Sequence, residues 1–132
     1  MDSQQHSIQR GDVYLATYLF PHEQSIDSEG TGVAKQRPVL IVQNDTDNAN
    51  ESYPIVQAAP ITTQKTDRVF DQDMLLLAGE ANLRQTSKVL LGLTQPFLKT
   101  RLVQKLGRVS SARMRELDAK LLRVFGFIKN RR

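Results

Sequence analysis

The chain has 132 residues, of which 39% are hydrophobic and 24% charged, and this is typical of one globular domain with an ordinary core. It contains no cysteine, which excludes disulfides and thiolate chemistry and is typical of a reducing cytoplasm. The net charge of +4 is uneven, since residues 1–50 carry three Lys/Arg against seven Asp/Glu and residues 51–132 carry fifteen against seven. The basic second half fits a polyanionic partner, nucleic acid or an acidic protein segment, as well as it fits a solvated face.

Neither a metal site nor a membrane segment is indicated. The two histidines, His6 and His22, lie in a predicted tail and a predicted loop, so we expect no metal, no cofactor and no histidine acid–base pair. The apolar runs are far shorter than the ~20 residues that span a bilayer, and the polar N-terminus lacks a signal-peptide core. We therefore expect a cytoplasmic protein without a membrane partner. It would form a single domain over residues 1–132, with a flexible tail at residues 1–7.

The first part of the chain predicts two strands and a long loop. Residues 12–20 are rich in β-branched and aromatic side chains, which predicts a strand. Residues 21–36 form a long polar loop, a kind that is often functional. The continuous apolar run at residues 38–42 predicts a strand buried on both faces, and turn-forming residues 43–48 follow it.

The second part predicts four more strands. Residues 54–61 form the first of them, and Pro60 indicates an edge strand or a bulge there. Residues 74–77, 88–93 and 100–109 predict the others. Short strands at this spacing, without alternating helices, favour a small antiparallel barrel.

One helix is predicted at the end of the chain. Ser110 or Ser111 would cap it and Gly126 would end it. Between them an apolar stripe recurs at helical spacing, formed by Met114, Leu117, Leu121 and Val124. The expected fold class is therefore mainly β with α, a small barrel plus a C-terminal helix.

The candidate chemistry lies at two strand ends. Arg37 stands where the long loop enters the buried strand, as a phosphate-gripping guanidinium would, although a surface ion pair is also consistent with this place. Thr62 and Thr63 end the next strand beside Gln64 and Lys65, and these groups could surround a phosphate. Threonines are also common in strands for reasons of shape alone.

Four segments resemble, in order and spacing, the signatures of the MazF/PemK-type toxins. They are residues 8–15 (IQRGDVYL), 36–45 (QRPVLIVQND), 59–63 (APITT) and 99–107 (KTRLVQKLG). The family opens with an Arg-Gly-Asp-Val/Ile-Tyr pattern, continues with Arg-Pro-Val before apolar residues and Asn-Asp, and ends its third signature in a threonine. The resemblance extends from about Ile8 to Phe127.

The resemblance implies a dimerising SH3-like or CcdB-like barrel that cleaves single-stranded RNA (mRNA) sequence-specifically without metal, through a 2′,3′-cyclic phosphate. It implies inhibition by a cognate antitoxin, whose acidic tail would complement the basic half. The family's catalytic arginine falls on Arg37 and its catalytic threonine on Thr62, with Thr63 as the register alternative. The RNA-binding residues expected around them are Lys35, Gln36, Asn44, Gln64, Lys65 and Gln95.

Two departures from the family pattern stand out. A glutamate that the family often has five residues before the arginine is replaced by Gly32, and Glu29 is the nearest carboxylate. Glu29 is therefore a possible supporting residue, or the role is vacant. Gln95 stands where an arginine is common, and we expect this change to alter the recognised RNA sequence.

Two other functions stay open. A CcdB-like toxin directed at DNA gyrase would use apolar residues at the end of the final helix, where the sequence reads Phe125-Gly126-Phe127-Ile128. We expect this helix end to face the core instead. A catalytically silent relative that binds RNA or an antitoxin would fit the basic half equally well.

Overall fold

Seven strands and two helices form the part of the chain that this computed structural model describes, residues 8–18 and 35–129. The strands are β1 (Asp12–Tyr18), β2 (Lys35–Ile41), β3 (Ile55–Thr62), β4 (Asp73–Leu76), β5 (Ser87–Leu90), β6 (Gln95–Leu98) and β7 (Leu102–Arg108). The helices are α1 (Asp45–Ala49) and α2 (Ser111–Val124). The predicted tail at residues 1–7 and most of the predicted loop at residues 21–36 lie outside the described residues.

The strands form one antiparallel sheet in the order β4-β5-β3-β2-β1-β7, and β6 pairs with β3 beside this path. A mainly antiparallel β fold with a C-terminal helix is confirmed. Within the described part of the chain, the order of strands ends at β4 and β7 and does not close into a ring.

Pro60 lies in a central strand of the sheet. Of the two features predicted from it, an edge strand or a bulge, the edge strand is therefore wrong. On one side β3 pairs with β2, where Pro60 is opposite Val39. On the other side β3 pairs first with β6, through residues 55–58, and then with β5, through residues 61 and 62. Pro60 falls in the gap between these two partners, where a missing N–H costs no ladder bond.

Two apolar clusters cover the two faces of the sheet, because successive side chains of a strand point to opposite sides. Leu40 belongs to the first cluster, which Leu117 of α2 closes, whereas Val39 and Ile41 belong to the second, together with Phe97 of β6. All three β2 residues have no exposed surface, so the prediction of a strand buried on both faces is confirmed.

Two short elements differ from the prediction. Helix α1 begins within residues 43–48, which are therefore not simply a turn. The Asn44 side chain caps this helix, because it accepts a hydrogen bond from the Asp47 backbone N–H at 2.8 Å. Strand β6 is missing from the prediction because it has only four residues and contains Pro96. Its partner β3 supplies the pairing that its own sequence does not indicate.

Helix α2 has the predicted caps and the predicted apolar stripe, of which Leu117 is fully buried. The Ser110 side chain accepts from the Arg113 N–H at 3.2 Å, and Gly126 follows the helix with a φ of 82°. Arg113 also docks the helix: its Nε and Nη2 donate to the two carboxylate oxygens of Glu80 at 2.9 and 2.7 Å. These hydrogen bonds from Arg113 hold the pKa of the Glu80 carboxyl below its ordinary value.

Glu80→Gln should therefore lower the melting temperature at pH 7 by a few degrees. A lowered folded pKa means that Glu80 contributes stability above the pKa of an unfolded glutamate, about 4.3. This contribution is lost as the pH falls through the folded pKa. The check is thermal unfolding of both proteins at pH 7 and pH 3, with Glu116→Gln as a control that neutralises a carboxylate accepting a single Arg113 hydrogen bond. An equal difference at both pH values would contradict the assignment.

Gly107 allows β7 to pass close to the 3-10 turn Glu80–Asn82. A Cβ at this position would lie 2.6 Å from the carbonyl carbon and oxygen of Ala81, whose backbone is in the left-handed region. Gly107→Ala should lower the free energy of unfolding by about 1–3 kcal/mol, as overpacking does. Gly92→Ala is the matched control, because its Cβ would make an ordinary 3.8 Å contact with Gln72. Urea unfolding of both variants measures the difference, and equal stabilities would refute the close approach.

Candidate active site

The register of β2 and β3 gives the two candidate catalytic residues corresponding positions on neighbouring strands. Val39 is paired with Pro60, Leu40 with Ala59 and Ile41 with Ala58. The pairing ends at Val39 and Pro60, and Arg37 and Thr62 each lie two residues beyond it, at corresponding positions of the two strands. On its other side Arg37 is paired with Ala16 of β1.

Arg37 and Thr62 share the sheet face of the second apolar cluster. Side chains two residues apart on a strand lie on the same face, so Arg37 follows Val39, and Thr62 follows Pro60. Both side chains are half-buried at the end of this face, and the Nε atom of Arg37 is buried. Because β1 pairs with β2 at Arg37, the backbone of this residue is positioned by the rigid part of the fold.

The Thr62 hydroxyl takes part in the turn that follows β3. Its oxygen accepts a hydrogen bond from the Gln64 backbone N–H at 3.0 Å. Since an accepting hydroxyl still carries its own proton, Thr62 can donate to a ligand oxygen in this arrangement. Thr63 lies beyond the strand and is exposed, whereas Thr62 is the position of β3 that corresponds to Arg37 when the register is extended, and this favours Thr62 of the two.

The predicted RNA-binding residues fall into two groups near this pair and two more distant positions. Lys35 and Gln36 are exposed at the start of β2, next to Arg37. Gln64 and Lys65 are exposed in residues 63–72, which we call the β3–β4 loop. Lys65 has a φ of 52°, so this loop turns sharply just beyond Thr62.

Gln95 lies on the site face and Asn44 lies at the other end of β2. Gln95 is opposite Ala58, and four strand residues, roughly 13 Å, separate Ala58 from Thr62. Its Nε2 donates to the Leu93 carbonyl at 3.1 Å. The Asn44 side chain instead caps α1, so the structure gives it a structural role away from Arg37.

The residue predicted to supply a carboxylate for proton transfer falls in a part of the chain that the structure does not describe. Glu29, the residue predicted for that role, and Gly32 lie outside the described residues. Across residues 8–18 and 35–129, no group of three or more His, Asp or Glu side chains is arranged to hold a metal ion.

Tyr14 is a further polar side chain on this face. It is paired with Val39 and packs against the second apolar cluster. Burial raises the pKa of its phenol, and the nearby Asp12 carboxylate raises it further. Its hydroxyl therefore stays protonated at neutral pH.

Lys88 and Asp73 are absent from the sequence-based site. Lys88 is directly opposite Thr62 in the β3–β5 ladder, and its side chain is buried with that of Asp73. Lysine is almost never fully buried unless paired, so this position is unusual. The sequence held one indication of this pair. Asp73 and Lys88 are charged residues within the first two positions of otherwise apolar strands, β4 and β5.

Much of the positive charge after residue 98 is engaged in internal contacts. The buried Asp12 carboxylate lies 2.9 Å from Arg108 Nη1 and 3.3 Å from Lys105 Nζ. Lys99 Nζ donates to the Asp47 carbonyl at 2.8 Å, and Lys120 Nζ donates to the Asp71 carbonyl at 3.0 Å. The basic half therefore stabilises the fold as well as supplying surface charge.

The expectation that the end of α2 faces the core is wrong. The side chains of Phe125, Phe127 and Ile128 are 57%, 78% and 45% exposed. The helix ends at Val124 and Gly126 has a φ of 82°, so residues 125–128 no longer follow the helical spacing of the apolar stripe. The described part of the chain contains no helix long and apolar enough to cross a membrane.

Solved structures with this fold include several toxins. An endoribonuclease from a Mycobacterial species, in complex with its cognate antitoxin, is 21% identical with a TM-score of 0.70, over 94% of this chain and 100% of that one. The Mycobacterium tuberculosis toxin MazF-mt6 is 23% identical with a TM-score of 0.66, over 87% and 96% of the two chains. A MazE–MazF structure from Deinococcus radiodurans is 16% identical with a TM-score of 0.71, over 94% and 100%.

The family model of the PemK-like, MazF-like toxins of type II toxin–antitoxin systems matches residues 9–125. This match covers most of the chain, including both strands that carry Arg37 and Thr62. The protein therefore belongs to the PemK-like, MazF-like toxin family of type II toxin–antitoxin systems.

Proposed function

We propose that this toxin is an endoribonuclease that cleaves single-stranded RNA at specific sequences, with Arg37 and Thr62 at the scissile phosphate. The observation that supports the proposal is the β2–β3 register, in which Arg37 and Thr62 occupy corresponding positions two residues beyond the last pair, Val39 and Pro60. Two structures with this fold bear the name endoribonuclease, which supports the same reaction. The proposed substrate in the cell is mRNA in the cytoplasm.

The proposed reaction is attack by the ribose 2′-oxygen on the adjacent phosphorus. The P–O2′ bond forms as the P–O5′ bond breaks, the 2′-hydroxyl loses its proton and the leaving 5′-oxygen gains one. The products are a 2′,3′-cyclic phosphate and a 5′-hydroxyl. Arg37 would neutralise the charge that develops on the phosphorane, and the Thr62 hydroxyl would donate to a non-bridging oxygen.

A guanidinium fixed by the protein fold can take the place of a metal ion in the cleavage of a phosphodiester bond. Because Arg37 supplies a fixed positive charge at the phosphate, the proposed cleavage proceeds without a divalent ion. Glu29 is the proposed proton acceptor from the 2′-hydroxyl, with Thr63 as a supporting hydroxyl at the strand end.

The sequence specificity is proposed to come from side chains around the pair. Lys35, Gln36, Gln64 and Lys65 are close to Arg37 and Thr62 along the chain and are exposed for contacts to RNA. Amides and charges on loops read unstacked bases in this way. Gln95 would contact a nucleotide farther along the same face, and Asn44 one that reaches the other end of β2.

The proposed partners are a second copy of the chain and a cognate antitoxin. The Mycobacterial endoribonuclease is described in complex with its antitoxin, and the Deinococcus radiodurans structure pairs MazE with MazF. For this chain we propose an antitoxin with an acidic tail that covers the exposed cations near Arg37. Such a tail would neutralise the toxin by occupying the place of the RNA backbone.

Substitution of the paired residues tests the proposal directly. Arg37→Ala and Thr62→Val should each slow cleavage of a long single-stranded RNA by about 100- to 1000-fold, the cost of removing one positioned donor. The assay is run in excess EDTA, and mass spectrometry of the fragments should find cyclic-phosphate ends at a short recurring sequence. Arg115→Ala is the matched control and should cleave at the wild-type rate, because Arg115 is exposed on α2 and has no role in the proposed site.

Three outcomes would count against this assignment. Cleavage that requires added magnesium would remove the metal-independent mechanism. Wild-type rates in both Arg37→Ala and Thr62→Val would place the site elsewhere. Tight RNA binding without any cleavage by the folded wild type would favour the catalytically silent relative.

A gyrase-directed toxin is the second candidate, because the exposed Phe125, Phe127 and Ile128 form an apolar surface at the end of α2. If the RNA proposal holds, the wild type should leave DNA supercoiling by gyrase unchanged at concentrations that cleave RNA completely. Phe127→Ala should then leave RNA cleavage within about twofold of wild type, since surface substitutions away from a site have small effects. Inhibition of gyrase that is lost in Phe127→Ala would favour the second candidate.

A further inference from the structure

Lys88 and Asp73 form a buried ion pair on the face that carries Arg37 and Thr62. Their residues are 7% and 5% exposed, and Lys88 Nζ lies 3.8 Å from Asp73 Oδ2. The ladder sets Lys88 opposite both Thr62 of β3 and Leu75 of β4, two residues after Asp73. Removing two charges from water is costly, so such a pair is weak as a device for stability alone.

Both members of the pair also hold the β3–β4 loop. Lys88 Nζ donates to the Arg68 carbonyl at 2.7 Å. The Asp73 carboxylate accepts from the Phe70 backbone N–H at 2.9 Å. The pair therefore hydrogen-bonds the loop backbone at two positions. Through Lys88 it connects the loop to β5, the strand that pairs with β3 at Thr62.

Residues 65–70 of this loop carry side chains that are suited to binding single-stranded RNA. Lys65 and Arg68 line an open pocket together with Asp67, and Phe70 is 58% exposed nearby in the chain. Cationic side chains bind phosphates, and an exposed aromatic ring or a guanidinium plane can stack on an unpaired base. An exposed phenylalanine in a loop otherwise rich in polar residues has no core to pack into.

We infer that Lys88 and Asp73 are positioning residues for RNA recognition, which fix residues 65–70 at a set distance from Thr62. The segment then binds the nucleotide next to the scissile phosphate, with Phe70 against the base and Lys65 and Arg68 against the backbone. This inference rests on the proposed RNA cleavage. It assigns specificity to a loop through two buried side chains that do not themselves touch the substrate.

The test uses the double variant Lys88→Met with Asp73→Asn in the full chain. Replacing both charges with neutral side chains of similar size avoids leaving one buried charge alone, and such replacements are often neutral in stability. The substrate is a short RNA with the cleavage sequence mapped for the wild type. We expect KM to rise about tenfold, equivalent to 1.4 kcal/mol of lost binding, with kcat within about twofold of wild type. Selectivity for the base next to the cut should fall as well.

Lys120→Met is the matched control. It removes another lysine-to-carbonyl hydrogen bond from the same loop, at Asp71, but from the exposed side of α2. Its KM and base selectivity should equal those of the wild type. An unchanged KM and unchanged selectivity in a folded double variant would overturn the inference.

Two exposed variants keep the inference testable if the double variant does not fold. Arg68→Ala and Phe70→Ala change side chains that the pair positions, and both should raise KM without a change in melting temperature. Wild-type KM values in both would refute the role of the loop. A wild type that cleaves no RNA would instead refute the proposed function, and this inference would fall with it.

Discussion

The arrangement of the sheet depends on β3, which pairs with three other strands along its two edges. One edge pairs with β2, and the other passes from β6 to β5 at the gap where Pro60 lies. This exchange places Thr62 beside Lys88, and in the β2–β3 register Arg37 is the position that corresponds to Thr62, two residues beyond the last pair. Because side chains alternate along a strand, a slip of one residue would turn Thr62 to the opposite face and separate it from Arg37.

The pairing of β3 also keeps the proposed catalytic pair, Arg37 and Thr62, apart from the residues proposed to recognise RNA. Arg37 and Thr62 lie at the ends of strands whose middle residues are fully buried, so their backbone positions are set by the packed core. The exposed candidates for RNA contact lie beside them in the β3–β4 loop and at the start of β2. Loops tolerate changes that strands do not, so an arrangement of this kind permits new RNA specificity at constant chemistry.

Charge alone was a poor guide to the site. Several cations of the basic second half complete the fold, as Arg108 and Lys105 do around the buried Asp12 and Arg113 does at Glu80. Arg37, by contrast, comes from the acidic first half of the chain. The location of a guanidinium on a particular sheet face, and not the regional net charge, determines whether it can meet a phosphate.

Local patterns in the sequence were sufficient to predict the long strands, the buried character of residues 38–42, and α2 with its caps and apolar stripe. These features depend on residues within a few positions of one another. The motif spacing also identified the family and proposed Arg37 and Thr62. Tertiary structure alone decided the β2–β3 register that relates that pair, the strand β6, the exposed end of α2 and the burial of Lys88 with Asp73. Each of these depends on which strands pair and in what register, and that choice is made by packing between segments distant in the chain.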